Sequence, residues 1–347
     1  MFIMSLPRAI DLFSGCGGLT LGLRQAGFDV VAGIEIDSLA AHTYGVNHPA
    51  VRVWNSDIRA LQASAIRDNL GLCKGELDLL AGCPPCQGFS SLRRLNGGRR
   101  VRDPKSKDLL FEFLRFVEEF LPKTILLENV PHLARDYRMG TFTSALKRLG
   151  FCHRIGVFDC ADFGVPQRRK RMVLIASRLT EVEFARPECK RRSVRDAISH
   201  LPPSGQSGDP LHDIGEKRSR SIARLIRKIP KDGGSRTDLA AHFQLGCHLR
   251  CDGFKDIYGR MAWDKVAPTI TTGCFNPSKG RFLHPAENRA ITLREAALLQ
   301  TFPRDYFFSL ERGKCSAAML IGNALPPQFV RQHALMLRQA LEPRSNI

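Results

Sequence analysis

Short apolar runs alternate with longer segments of helical periodicity through the first half of the chain. Residues 9–13, 30–35, 51–54, 77–81, 124–127 and 172–176 have the length and branched-aliphatic content of buried strands. Between them lie helical patterns, clearest at Leu109–Phe120 and 142–149. Strand and helix in regular alternation predict an α/β fold with a doubly wound, mostly parallel sheet. The rhythm breaks near Arg186. Ser193 to Asp196 and Thr292 to Glu295 each have the spacing of a capping box and open helices. The second of these helices is expected to stop at Pro303, and a further amphipathic helix follows over 329–341. A polar, basic, glycine-rich stretch runs between them, from Ser204 to about Arg260. The expected organisation is a larger domain from 1–192 with 313–347, and a smaller one over 193–312.

Charge narrows the partners. Lysine and arginine number 52 against 34 acids, a net charge of +18, which favours a polyanion. The eleven cysteines are an odd number in a chain too long to need a disulfide framework, so a reducing compartment is expected, the cytoplasm. No signal peptide is indicated. The nearest approach to a membrane span, 109–121, is interrupted by Glu112, Arg115, Glu118 and Glu119.

Candidate chemistry gathers at strand ends. Asp11 to Gly18 reads Asp-Leu-Phe-Ser-Gly-Cys-Gly-Gly, a strand followed by a turn whose glycines let a ligand approach the backbone. Glu35 follows about 20 residues on, where an acid can accept from a ribose diol. Thr20 replaces the third glycine of a dinucleotide fingerprint, which favours another nucleoside cofactor. Gly82 to Ser90 reads Gly-Cys-Pro-Pro-Cys-Gln-Gly-Phe-Ser after an apolar strand. Taken alone, its cysteine pair fits a redox dithiol, half a zinc site with Cys247 and Cys251, or a positioned nucleophile. Glu128 ends another apolar run, where a carboxyl can serve as a proton donor. Gln167, Arg169 and Arg171 would share a face if they stood on one strand.

In this order the motifs resemble the cytosine-C5 DNA methyltransferase family. The matching segments are Asp11–Gly18, Glu35, Asn55–Ile58, Pro85-Cys86-Gln87, Glu128-Asn129-Val130, Gln167–Arg171, 193–203 and Gly322 to Pro327. Only about 204–260 is without a counterpart. The resemblance implies a class I methyltransferase-like fold, S-adenosylmethionine as cofactor, duplex DNA as substrate and no metal. Phe13, Gly15, Gly17, Glu35, Asp57, Leu109 and Asn323 would hold the cofactor: Phe13 on the adenine, Glu35 on the ribose, Asp57 on the adenine amine. Cys86 would add to cytosine C6, Glu128 would donate to N3, Arg171 would orient the base through O2, and Arg169 would brace Glu128. Pro85, Gln87, Ser90 and Gln167 would line the substrate site. A base inside a duplex is out of reach, so it would be flipped out. The region 204–260 would recognise the target, with Lys217, Arg218, Arg220, Arg224, Arg227, Lys228 and Lys231 available to phosphates.

The resemblance thus points to a monomeric, nucleoid-associated modification methyltransferase, with a companion endonuclease as a genetic partner. Two alternatives stand beside it. One is the family branch that methylates cytosine in transfer RNA; the other is a DNA-binding regulator with a silent catalytic domain.

Overall fold

The computed structural model describes residues 5–85, 109–188, 190–244, 246 and 255–342. In chain order the strands are β1 (Arg8–Leu12), β2 (Asp29–Glu35), β3 (Arg52–Asn55), β4 (Leu79–Gly82), β5 (Thr124–Asn129), β6 (Cys152–Asp159) and β7 (Lys170–Ser177). The helices are α1 (Gly18–Gln25), α2 (Ser38–Asn47), α3 (Ala63–Asn69), α4 (Leu109–Phe120), α5 (Tyr137–Arg148), α6 (Val194–Ile198), α7 (Pro210–Asp213), α8 (Arg220–Lys228), α9 (Leu293–Leu299), α10 (Gly313–Asn323) and α11 (Pro327–Gln339).

The strands form one sheet in the order β3-β2-β1-β4-β5-β7-β6. β1 to β5 are parallel, and β7 runs antiparallel to both β5 and β6. The expected doubly wound, mostly parallel sheet is therefore present, with β6 as a strand the hydrophobic pattern did not predict. From β1 the order leads one way to β2 and β3 and the other way to β4 and β5. That reversal is a topological switch point, where open α/β sheets bind ligands beyond their carboxyl ends. Leu12 pairs with Gly82 there, so the glycine turn and the Cys-Pro-Pro segment leave the sheet side by side.

Burial explains the pattern. β5 is buried along its whole length, as a central strand should be. α4 turns Leu110, Phe113, Leu114, Phe116, Val117 and Phe120 inward. Phe113 meets Phe142 of α5 in the core beneath β4 and β5. Fully burying one such phenylalanine contributes roughly 1.5–3 kcal/mol. α1 packs against α11. Gly22 permits that approach: a Cβ there would stand 2.5 Å from both Pro327 O and Val330 Cβ.

The chain divides into two compact units, 1–159 with 170–187 and 325–347, and 160–169 with 188–324. These boundaries differ from the expected 192 and 313. Residues 160–169 join the second unit because Gln167 bridges Ala267 and the Arg168 amide donates to Ala267 O at 2.9 Å. α10 joins it because it packs on α9. The capping boxes form at both expected places, with the Glu295 amide donating to Thr292 Oγ1 at 3.1 Å. α9 ends at Leu299, before Pro303, and Thr301 takes a left-handed φ of 67°. Among the described residues no helix is long and apolar enough to cross a membrane.

Candidate active site

The glycine turn is built by backbone conformation. Phe13, Gly15 and Gly17 have φ of 62°, 55° and 94°. A positive φ is routine for glycine and strained for phenylalanine, and strain of that kind collects at functional sites. Ser14 locks the turn to β2: its Oγ donates to Asp11 O at 2.7 Å and accepts from the Ile34 amide at 3.0 Å. Glu35 completes the lock. One carboxylate oxygen accepts from the Gly15 amide at 2.8 Å, the other from the Asp37 amide at 2.8 Å. Burial raises the Glu35 carboxyl above its ordinary range. A Cβ on Gly15 would meet nothing within 4 Å, so this turn faces open space.

Two neighbours modify the expected cofactor set. Asp57 caps the short turn Ile58–Ala60, and Arg59 Nε lies 2.9 Å and 3.1 Å from its two carboxylate oxygens. That pairing holds the Asp57 carboxyl below its ordinary range. Ile36, which was not singled out from sequence, directly follows Glu35 and is 64% exposed, an apolar surface at the strand end. Its only signal in the sequence is a position next to the ribose candidate. Leu109 opens α4 half-buried, within the first unit; Asn323 is exposed at the last position of α10, in the second.

The second cluster lies at the ends of β4, β5 and β7. Glu128 and Asn129 close β5, buried. Asn129 Nδ2 donates to Pro84 O at 2.9 Å, tying the Cys-Pro-Pro segment to the strand that carries Glu128. Arg171 Nε lies 2.7 Å from Glu128 Oε1. Register explains the pair. Val173 faces Glu128 across the antiparallel β5–β7 ladder, and Arg171, two residues away, is its diagonal neighbour on the same face. Arg171 is thus a cation placed directly beside the Glu128 carboxyl.

Arg169 and Gln167 do not share a strand face with Arg171, because β7 begins only at Lys170. Arg169 is buried and donates to Ile270 O and Gly322 O, each at 3.0 Å. Gln167, expected on the substrate, is fully buried. Its Oε1 accepts from the Ile270 amide at 2.8 Å, and its Nε2 donates to Gln300 Oε1 at 2.9 Å. Both ends of the Gln167 amide are thus engaged within the second unit.

Cys83 is a free thiol beside Glu128. Burial first, and then the Glu128 carboxylate, push it well above the ordinary thiol range. A thiol kept protonated is a poor nucleophile. Pro85 is exposed at the end of the described segment. Cys86, Gln87 and Ser90 lie outside the described residues, as do Cys247 and Cys251 of the zinc alternative. Among the described residues no three His, Cys, Asp or Glu side chains converge as metal ligands would.

The family model for C-5 cytosine-specific DNA methylases matches residues 7–337. The chain belongs to that family. This DNA methylase is 36% identical over 351 residues to the type II methylase M.HgiDII of Herpetosiphon aurantiacus, covering 96% of this chain and 95% of the relative. It is 33% identical to the type II methyltransferase M1.HphI of Haemophilus parahaemolyticus, over 94% and 85% of the two chains. Among solved structures, a candidate DNA modification methyltransferase encoded in an E. coli prophage superposes with a TM-score of 0.69 at 25% identity, covering 96% of the methylase and 98% of that chain. The Dnmt2 methyltransferase of S. pombe shares the fold, with a TM-score of 0.62 at 20% identity, over 98% and 100% of the two chains.

Proposed function

We propose that this methylase modifies C5 of a flipped-out cytosine in a specific duplex DNA sequence, through a covalent bond between Cys86 and C6. The paired Glu128 and Arg171, on a strand tied to the Cys-Pro-Pro segment through Asn129 and Pro84, is the observation that carries it.

The glycine turn fits S-adenosylmethionine: it is locked by Ser14 and Glu35, opens onto free space at Gly15 and adjoins an exposed Ile36. Gly15 and Gly17 would admit the methionine part, Glu35 the ribose, and Phe13 and Ile36 the faces of the adenine. Asp57 would accept from the adenine amine alongside Arg59, with Leu109 completing the set within the first unit. When bound, this cofactor supplies an electrophilic methyl group.

Cytosine C5 is a weak nucleophile until something adds at C6. The Cys86 thiolate supplies that addition, dividing one difficult step into easier ones. In its protonated form Glu128 donates a hydrogen bond or proton to N3 as electron density moves into the ring, which returns it to the carboxylate that Arg171 pairs with. Arg171 fixes the Glu128 carboxyl and keeps guanidinium donors for O2, while Pro85, Gln87 and Ser90 line the base. Loss of the C5 proton then expels Cys86 and restores the aromatic ring. Cys83, held protonated, takes no part.

The type II role of the relatives supports a sequence-specific modification enzyme, paired with an endonuclease of matching specificity. Bisulfite sequencing of DNA from a host expressing this chain tests the whole reading. One short motif should be modified at a single cytosine; unmodified DNA overturns it. Parallel methyl transfer to duplex DNA and transfer RNA separates the family's two substrate branches.

A further inference from the structure

The glycine turn has two sides. Its outward side is the proposed cofactor surface; its inward side rests on two residues the reaction does not use, Tyr44 of α2 and His48, which caps that helix. Tyr44 is fully buried, and its hydroxyl lies 2.7 Å from Thr20 Oγ1. Thr20 Oγ1 in turn donates to Asp11 Oδ2 at 2.7 Å. A threonine hydroxyl has one proton, and here it goes to Asp11, so Tyr44 must be the donor to Thr20. The three groups form a one-way relay from α2 through α1 to β1.

Gly33 makes room for the relay. It pairs with Asp11 across the β1–β2 ladder, and a Cβ there would stand 3.0 Å from the Tyr44 hydroxyl and 3.0 Å from Ser14 Oγ. One helical turn beyond Tyr44, the His48 ring lies with its centroid 4.9 Å from that of Tyr44. His48 Nε2 donates to Gly17 O at 3.3 Å, while Nδ1 accepts from Arg24 at 3.3 Å, a pairing that selects the neutral ring. Burial and the Arg24 cation keep it neutral, with a pKa brought down to about 4.

The turn requires such support. Phe13, Gly15 and Gly17 all hold a positive φ, and for Phe13 that conformation persists only where the surroundings over-determine it. Glu35 also fixes the turn, but it is the proposed ribose acceptor and is shared with the ligand. Tyr44 and His48 have no second duty. At 0% and 1% exposed, neither presents a surface a cofactor could touch.

We infer that Tyr44 and His48 are positioning residues for the cofactor, acting through Thr20, Asp11 and Gly17 to hold the glycine turn in its ligand-ready conformation. This rests on the S-adenosylmethionine reading proposed above and assigns part of the affinity to a helix the cofactor does not touch. A turn that is already ordered spares the ligand the entropy of ordering it.

Calorimetric binding of S-adenosylhomocysteine, the demethylated cofactor, to the full-length chain tests this without relying on turnover. Tyr44→Phe and Thr20→Val each delete one hydroxyl of the relay at nearly constant shape. His48→Phe keeps a ring against Tyr44 and removes the donor to Gly17. Each should weaken binding about 2–10-fold, the equivalent of one hydrogen bond. Thr20→Ser, which keeps the hydroxyl, should bind as the wild type does. In steady state Tyr44→Phe should raise KM for S-adenosylmethionine by the same factor and leave kcat at saturating cofactor unchanged. A purely structural role predicts a lowered Tm and a smaller active fraction with an unchanged dissociation constant, and that result overturns the inference. A fall in kcat with KM unchanged overturns it too. Should a relay variant fail to fold, His48→Phe decides through the separate contact at Gly17. Failure of the wild-type chain to bind S-adenosylhomocysteine brings down the cofactor reading instead.

Discussion

Cys83 and Cys86 belong to one short motif, and the proposed reaction assigns the nucleophile to Cys86 alone. The Cys83 thiol is kept protonated by burial and by Glu128. Cys86→Ser should therefore abolish covalent trapping by 5-fluorocytosine DNA while cofactor binding persists, and Cys83→Ser should still trap. Trapping lost in the Cys83 variant alone would reverse the assignment. Arg171→Ala leaves the Glu128 carboxyl, 7% exposed, without its cation. General acid–base groups contribute about 10²–10⁴-fold. A fall in kcat toward that range is expected, with Arg171→Lys retaining part of the rate; a rate unchanged in Arg171→Ala would sink Arg171 as the residue that holds Glu128. A third expectation concerns Asp11, whose carboxyl is pushed up to about 8 by burial. The folded state then holds a proton that the unfolded chain releases, so stability is present at low pH and declines between about pH 4 and pH 8, at up to about 1.4 kcal/mol per pH unit. Asp11→Asn should flatten that decline in a Tm-against-pH series; parallel curves would contradict it. The places where candidate chemistry gathers were legible, since the glycine turn leaves the end of β1 and Glu128 lies at the end of β5. The Arg171–Glu128 contact was not, because alternation assigns faces only once the strand's first residue is known, and β7 starts at Lys170.

The central strands β1, β4 and β5 were legible because they are buried almost throughout and read as continuous apolar runs. β6 was not, for the same physical reason in reverse. It lies at the sheet edge with Cys152, Arg154 and Val157 exposed, and its His, Arg, Gly and Asp dilute any apolar run. α10 also went unpredicted, because its Gly-Lys-Cys-Ser opening has neither a capping side chain nor an apolar stripe at its start. The α1–α11 crossing makes a prediction at this scale. Gly22→Ala puts a methyl 2.5 Å from Pro327 O and Val330 Cβ, so α11 must shift. Overpacking of this kind costs about 1–3 kcal/mol, readable as a lowered urea midpoint. Methyl transfer at low temperature should survive, since Gly22 touches none of the proposed site; an unshifted midpoint would show that the crossing relaxes freely.

For the whole molecule, the net charge of +18 was the clearest signal in the composition, and it named a polyanion without naming a surface. Folding turns part of that charge into internal struts such as Arg169 and Arg260, a use that depends on partners far along the chain. The unit boundaries were hidden in the same way, since residues 160–169 and α10 leave the first unit through long-range pairings. The α1–α11 contact also has a consequence for biosynthesis. α1 emerges from the ribosome early, but the helix that covers it follows about 300 residues later. At about 5–20 residues per second, α1 waits some fifteen to sixty seconds with its apolar face unshielded. Until α11 is made, that apolar face is a surface on which the nascent chain is expected to aggregate or engage a chaperone. A circular permutant that places α11 ahead of β1 would close the first unit during translation and shorten that exposure.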